Sequence, residues 1–381
     1  MGSLINELFK WPLVVRLRTP DNDDEHVDRL NHRVTVGLIL IGVVITSTTS
    51  FVSNRISCWL PTELKHTSYP KYIEHYCWIS NTYYIHSNVT PPHSNEDRRR
   101  AQIGYYQWVP ILLLLMALFF YAPRLFWRSF NAHCGIDIQN LIKKSQLSTN
   151  NSTKIASAML DYYCQTFKNR HSKRSINIQA YVRRNKHQGN YLFSLYFLTR
   201  LMYLINSILQ LYLLNALLGH RGNAWFLDID IMKSILRYGN PLLDSPYFPR
   251  VTLCDVPIRE IAEIHRYTLQ CALPINMLNE KIFLALSFWF SYVILYNIIS
   301  FITLIIQQFE SERIEYIKRL TTSMKDNDPE FIENFTVNYL SYDGIFILRL
   351  ISHNSSDLQA IETIKTMFKN YKKNNDNNRI E

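Results

Sequence analysis

Four of the six cysteines in this 381-residue chain, Cys58, Cys77, Cys254 and Cys271, are placed to do covalent chemistry. They form two pairs with similar gaps, eighteen residues inside the first and sixteen inside the second. Each pair lies in a polar segment between two long apolar runs. A disulfide in a loop persists only where the surroundings are oxidising, so the pairs put their loops outside a cell. Four cysteines allow three connectivities, and spacing alone leaves them open, bridges within each loop included. His75 near Cys77 adds a zinc alternative. Cys134 after His133, and Cys164 before His171, fit no tight metal spacing and read as reduced, buried thiols. No metal or cofactor is implied. Nor is an enzyme: the chain has no HExxH, no phosphate loop and no nucleotide-binding glycine run.

The elements that carry these cysteines are apolar and long. Mean hydropathy is near zero, but the apolar residues concentrate in four blocks, Val34–Val52, Tyr106–Trp127, Tyr191–Gly219 and Ile282–Ile306. The first and last are uncharged, the second holds Arg124 and the third Arg200. About 20 apolar residues in a helix cross a hydrocarbon layer of about 30 Å, so each block predicts a membrane span. Arg200 is expected at the inner boundary, its head snorkelling to water. Pro110 and Pro123 fall inside the second span and predict a bend there. No cleavable leader precedes the first span, which serves as its own insertion signal, and the start lacks a myristoylation pattern.

Charge sets the orientation. Of the net +10, the segment 128–190 carries eleven Lys and Arg against two acids. Such an excess marks a cytoplasmic loop, not a nucleic-acid surface. The cysteine pairs independently put the neighbouring loops outside. The expected order is a cytoplasmic N-terminal region 1–33, span 34–52, outer loop 53–105, span 106–127, cytoplasmic loop 128–190, span 191–219, outer loop 220–281, span 282–306 and cytoplasmic C-terminal region 307–381. Both termini are then cytoplasmic in a plasma-membrane protein. Asn88-Val89-Thr90 is a glycosylation sequon in the first outer loop, weakened by Pro91, and the sequons at Asn150, Asn151, Asn334 and Asn354 are silent on the cytoplasmic side.

The second span opens with Tyr105-Tyr106-Gln107-Trp108-Val109, followed by Pro110. This run resembles the signature of the innexins, the invertebrate gap-junction proteins. The likeness continues in Asp28-Arg29-Leu30-Asn31, in Cys58-Trp59 with Tyr76-Cys77-Trp78, in Phe248-Pro249-Arg250-Val251-Thr252, and in Asn279-Glu280-Lys281-Ile282-Phe283. It runs from about residue 25 to about residue 310 and departs from the family at Met116, where a Gln is expected. Connexins resemble the plan but carry three cysteines per outer loop. Pannexins share two but lack the YYQWV run.

The resemblance implies an all-α membrane protein with four transmembrane helices per subunit, disulfide-braced outer loops, a helical cytoplasmic dome from segments 128–190 and 311–370, and a large-pore oligomer. Eight subunits are expected, within a range of six to eight, sitting among membrane lipids. Two such hemichannels in adjacent cells dock through their outer loops and pass ions and small metabolites. By analogy with related channels the bridges are Cys58–Cys271 and Cys77–Cys254. The segment Gly2–Lys10 folds into the pore mouth with Ser3, Asn6 and Glu7 facing ions, or lies on the inner membrane surface. Thr46, Ser47, Thr49 and Ser50 line the outer pore or pack helices. The tail from Asn370 to Glu381 is expected to be disordered. A hemichannel that never docks and a non-conducting adhesion protein are the competing functions.

Overall fold

The computed structural model describes residues 24–51, 55–62, 69–85, 89–131, 137–146, 150–168, 189–217, 248–261, 263–322 and 328–377. In chain order come α1 (His26–Ser50), β1 (Ser57–Cys58), α2 (Tyr69–Ser80), β2 (Thr82–Tyr83), α3 (Asn95–Arg100) and β3 (Gln102–Ile103). Then follow α4 (Val109–Asn131), α5 (Ile138–Gln146), α6 (Asn150–Lys168) and α7 (Tyr191–Leu217). The rest comprises β4 (Val251–Glu260), β5 (Glu263–Ala272), α8 (Pro274–Ile306), α9 (Glu310–Thr321), α10 (Pro329–Asn334), α11 (Ser341–Asn354) and α12 (Asp357–Asn377).

Helices α1, α4, α7 and α8 are each long and apolar enough to cross a membrane. Exposed apolar side chains recur along them at helical spacing, as at Val34, Leu38, Ile41 and Ile45 on α1 and Leu295, Ile299, Ile302 and Ile306 on α8. Apolar stripes of that extent do not stand in water. Helix α8 begins eight residues before its apolar block, and α1 begins with a polar turn and a π-helical turn at Leu30–Thr35. The expected bend at Pro110 does not arise, because Pro110 is the second residue of α4, where the missing N–H has no helical partner to lose. Pro123 does lie inside α4 and removes the donor that would reach the Phe119 carbonyl.

The chain forms two compact units, 121–204 and 296–381 with the described part of 1–34 in one, and 35–120 with 205–295 in the other. In the first unit, amphipathic helices close over an apolar core that includes Trp127, Leu141, Leu160, Phe335, Ile347 and Ile364. The Asp343 carboxylate, buried there, accepts from the backbone N–H of Leu192 (3.2 Å) and Phe193 (2.9 Å) and from the Tyr163 hydroxyl (2.9 Å). It thereby caps the first turn of α7, whose free N–H groups need an acceptor. The expected disordered tail is corrected: α12 runs to Asn377. Tyr371 packs on Phe335 and Tyr339, and Asn370 donates to Asp161 at 2.8 Å, so tertiary contacts hold the helix as far as Tyr371; residues 378–381 of the expected tail lie outside the described residues.

In the second unit the two loops build one antiparallel sheet in the order β1-β5-β4-β2-β3. Helix α2 buries Ile73, Cys77 and Trp78 against it. Strands β1, β2 and β3 are two residues long, too short to show an alternating pattern in sequence.

Candidate functional site

Two disulfides hold the sheet: Cys58 to Cys271 and Cys77 to Cys254. Each therefore joins the loop after α1 to the loop before α8. Cys58 and Cys271 are also registered partners across β1 and β5, so ladder and bridge act at the same place. Cys77 reaches Cys254 from the last turn of α2. The sulfurs of Cys58, Cys77 and Cys271 lie within 4.8 Å of one another, which makes the two bridges a single knot and leaves no thiolate there for zinc.

The run Tyr105–Val109 packs onto that knot. The Tyr106 ring lies 4.8 Å from that of Trp78, the residue after Cys77. The Gln107 amide donates to the Trp78 carbonyl at 2.6 Å and to the Asn81 side chain at 3.3 Å. Asn81 has φ 68°, a left-handed conformation that Asn tolerates better than most residues. Tyr105 meets the edge of Phe248 at 5.3 Å, just ahead of β4. Trp108 stays 64% exposed and Val109 starts α4. Three consecutive residues, Tyr105 to Gln107, thus tie the start of α4 to both loops.

A clamp and an anchor complete the root of the β4–β5 hairpin. Asp255 accepts from Arg98 Nη1 (2.7 Å), Thr268 Oγ1 (2.7 Å) and Tyr83 Oη (3.0 Å). Burial pushes its carboxyl up, but these donors outweigh it, and the group lies below its ordinary value. Burial, with Asp255 alongside, pushes the Tyr83 phenol up to about 12. Past β5 the chain enters α8 almost at once, and Asn276 donates to the Pro249 carbonyl at 3.0 Å. The hairpin is therefore rigidly continuous with a membrane-length helix.

The first unit holds a different cluster, which sequence reasoning missed. Asp24, Asp28, Arg124 and Arg200 are all at most 5% exposed. Asp24 contacts Arg29 (3.0 Å), His32 (3.3 Å) and Arg124 (3.5 Å). Arg200 pairs with Glu25 and approaches Asp28 at 3.4 Å, while the Tyr196 hydroxyl donates to Asp28 at 2.9 Å. The expected snorkelling of Arg200 is corrected: its head turns inward to carboxylates. The signal was available as three acids, Asp24, Glu25 and Asp28, just before the first span and a lone arginine in each of two others. Asn31 and Asn297 add reciprocal amide bonds of 2.7 and 3.1 Å between α1 and α8.

The other expected site residues separate. Thr46 and Ser50 are buried inside the protomer and donate to carbonyls one turn back on α1, so the pore role expected for them is corrected to helix packing. Ser47 and Thr49 remain partly exposed. Ser3, Asn6, Glu7, Asn88 and Cys134 lie outside the described residues. Cys164 is a buried free thiol whose pKa burial raises, which makes it unreactive.

Four apolar helices with two loops cross-braced by disulfides define the class, a multi-pass membrane protein with a rigid loop platform. A sequence model of the innexins matches residues 24–371. The chain is similar to Innexin-3 of Caenorhabditis elegans, 34% identical over 94% of this chain and 86% of that protein. It is also similar to Innexin unc-9 of the same species, at 31% over 92% of each, and to Innexin-19 of Caenorhabditis briggsae, at 31% over 93% of this chain and 87% of that one. The chain belongs to the innexin family and is a subunit of a gap-junction channel.

Proposed function

We propose that eight copies of the chain ring a wide aqueous pore, with both termini and the basic segment 128–190 in the cytoplasm and the cross-braced sheet outside. Two such rings in adjacent cells dock sheet to sheet and pass ions and small metabolites between cytoplasms. The observation that carries this reading is the knot of two loop-to-loop disulfides beneath the hairpin. Docking orders whatever is mobile at the contact, at a cost of about 0.5–1.5 kcal/mol per rotamer-rich side chain, so a platform made rigid beforehand binds better. The net charge of segment 128–190 supports the orientation. Ser47 and Thr49 are the remaining pore-facing candidates on α1, and Ser3, Asn6 and Glu7 those of the N-terminal segment. The work of the chain is conduction, without catalysis.

Recording from paired cells that express the chain tests this. Current between the cells is the expected result. Current across single-cell membranes with none between paired cells overturns docking in favour of a solitary hemichannel.

A further inference from the structure

A cavity of about 390 Å³ opens within the second unit, between the ends of α4, α7 and α8 that adjoin the loops. Its floor is aromatic: the Tyr105 and Phe248 rings lie 5.3 Å apart, and the Phe248 and Phe283 rings 5.8 Å. Phe248 and Phe283 are buried. Its rim is formed by Trp108 just ahead of α4, Leu112 in the first turn of α4 and Ala216 near the end of α7. Trp108 and Ala216 are exposed, and so is Gln102, which brings an amide to the edge.

Depth and surroundings identify the occupant. Trp108 stands immediately before α4, Ala216 is one residue short of the end of α7, and Phe283 is the second residue of the apolar block Ile282–Ile306. The cavity therefore lies at the polar–apolar boundary, the level at which tryptophan collects in membranes. Its rim continues into two exposed apolar stripes at helical spacing. Trp108, Ile111 and Leu115 lead down α4, and Ala216, Leu213 and Leu209 lead down α7. On membrane-spanning helices such stripes face hydrocarbon, so the mouth opens to lipid. Water finds few hydrogen-bond partners against this lining. The volume falls in the range of small-molecule sites, about 300–1,000 Å³. An aromatic floor with an amide at its edge suits a chain that is apolar but joined to a polar end. The upper part of a lipid acyl chain has that chemistry and lies at this depth.

We infer that this cavity holds one acyl chain of a glycerolipid from the leaflet on the sheet's side, with the carbons nearest the ester against Phe248 and Phe283 and the ester end beside Gln102. The bound chain becomes a fixed element between α4, α7 and α8, at the point where they join the braced loops. The inference needs the helices to span a membrane and does not need two rings to dock.

The test uses the whole chain in nanodiscs of phosphatidylcholine with a trace of the same lipid carrying a diazirine on one acyl chain, close to the ester. After irradiation and digestion, mass spectrometry locates the label. Any lipid beside the protein marks the exposed Leu115 and Leu209. Only a chain inside the cavity marks the buried Phe248 and Phe283, and label on both is expected. Ala216→Trp blocks the mouth from α7 and Leu112→Trp blocks it from α4. Each lowers labelling of the floor at least about tenfold, equivalent to about 1.4 kcal/mol of lipid affinity, and leaves that of Leu115 and Leu209 unchanged. Elution as the unaltered oligomer checks the folding of each variant. An unlabelled floor in the unaltered chain overturns the inference, whether the occupant is then residues 218–247 or a second copy. Floor labelling that survives the blocking substitutions overturns it too. Failure of paired cells to couple bears on the docking reading alone.

Discussion

Two aspartates, Asp343 buried and Asp255 half-buried, are shifted in opposite directions. Asp255 sits below its ordinary value because three donors outweigh its burial, so its contribution is present above pH about 3.8 and is lost only as pH falls further. Asp343 is pushed up to about 6 by burial, with the N–H groups of Phe193 and Leu192 and the Tyr163 hydroxyl opposing. The folded state then holds that proton more tightly than the unfolded chain. Stability at this site is greatest below about pH 3.8 and declines as pH rises to about 6, by about 3 kcal/mol in all. Denaturation midpoints of the detergent-solubilised protein, compared with Asp343→Asn, check the sign: the difference moves in favour of the native aspartate between pH 6.5 and 4, and a flat difference refutes the assignment. Arg200 gives a second expectation. Removing one partner of a buried ion pair costs about 3–5 kcal/mol because the other charge stays behind. Arg200→Met therefore destabilises strongly, and adding Asp28→Asn restores part of the loss; equal instability of single and double variants contradicts the pairing. The residue types of this cluster were legible in the sequence. Their meeting was not, since Asp28 and Arg200 are brought together only when separate helices pack.

The hairpin and its bridges show how elements divide the work. Strands β4 and β5 hold each other over ten residues apiece, but β1, β2 and β3 are too short to persist alone. The bridges hold them in place. Closing a loop of 213 residues, as Cys58–Cys271 does, removes chain entropy worth roughly 5 kcal/mol from the unfolded state. Cys58→Ser frees β1 from the hairpin root, so junctional current disappears while protein still reaches the surface, and retained coupling rules out a disulfide-braced docking platform. Helix α3 shows what a short element reveals locally: Ser94 caps it at 3.3 Å, with acids in its first turn and three arginines in its last. Those signals place a helix but say nothing of Arg98 reaching Asp255, which belongs to another loop.

For the whole molecule, the sequence by itself determined the four membrane-length helices, the family and the cysteines that brace the loops. Each of these rests on composition or spacing within one stretch of chain: apolar runs longer than a bilayer is thick, a local concentration of cationic residues, and a five-residue signature. The tertiary structure decided what lies between stretches. It chose one of three cysteine connectivities, turned the Arg200 head from water to an ion pair, took Thr46 and Ser50 from the pore into the protomer's interior, and carried α12 through a lysine- and asparagine-rich tail by packing Tyr371. It also extended the hairpin past its sheet, which no local pattern records, because a strand's neighbours and not its own residues set where a sheet ends. Periodicity reports what a segment does against a uniform solvent, water or lipid. Bridges and buried charges depend on which distant residue arrives, and that is settled only when the helices and loops have packed.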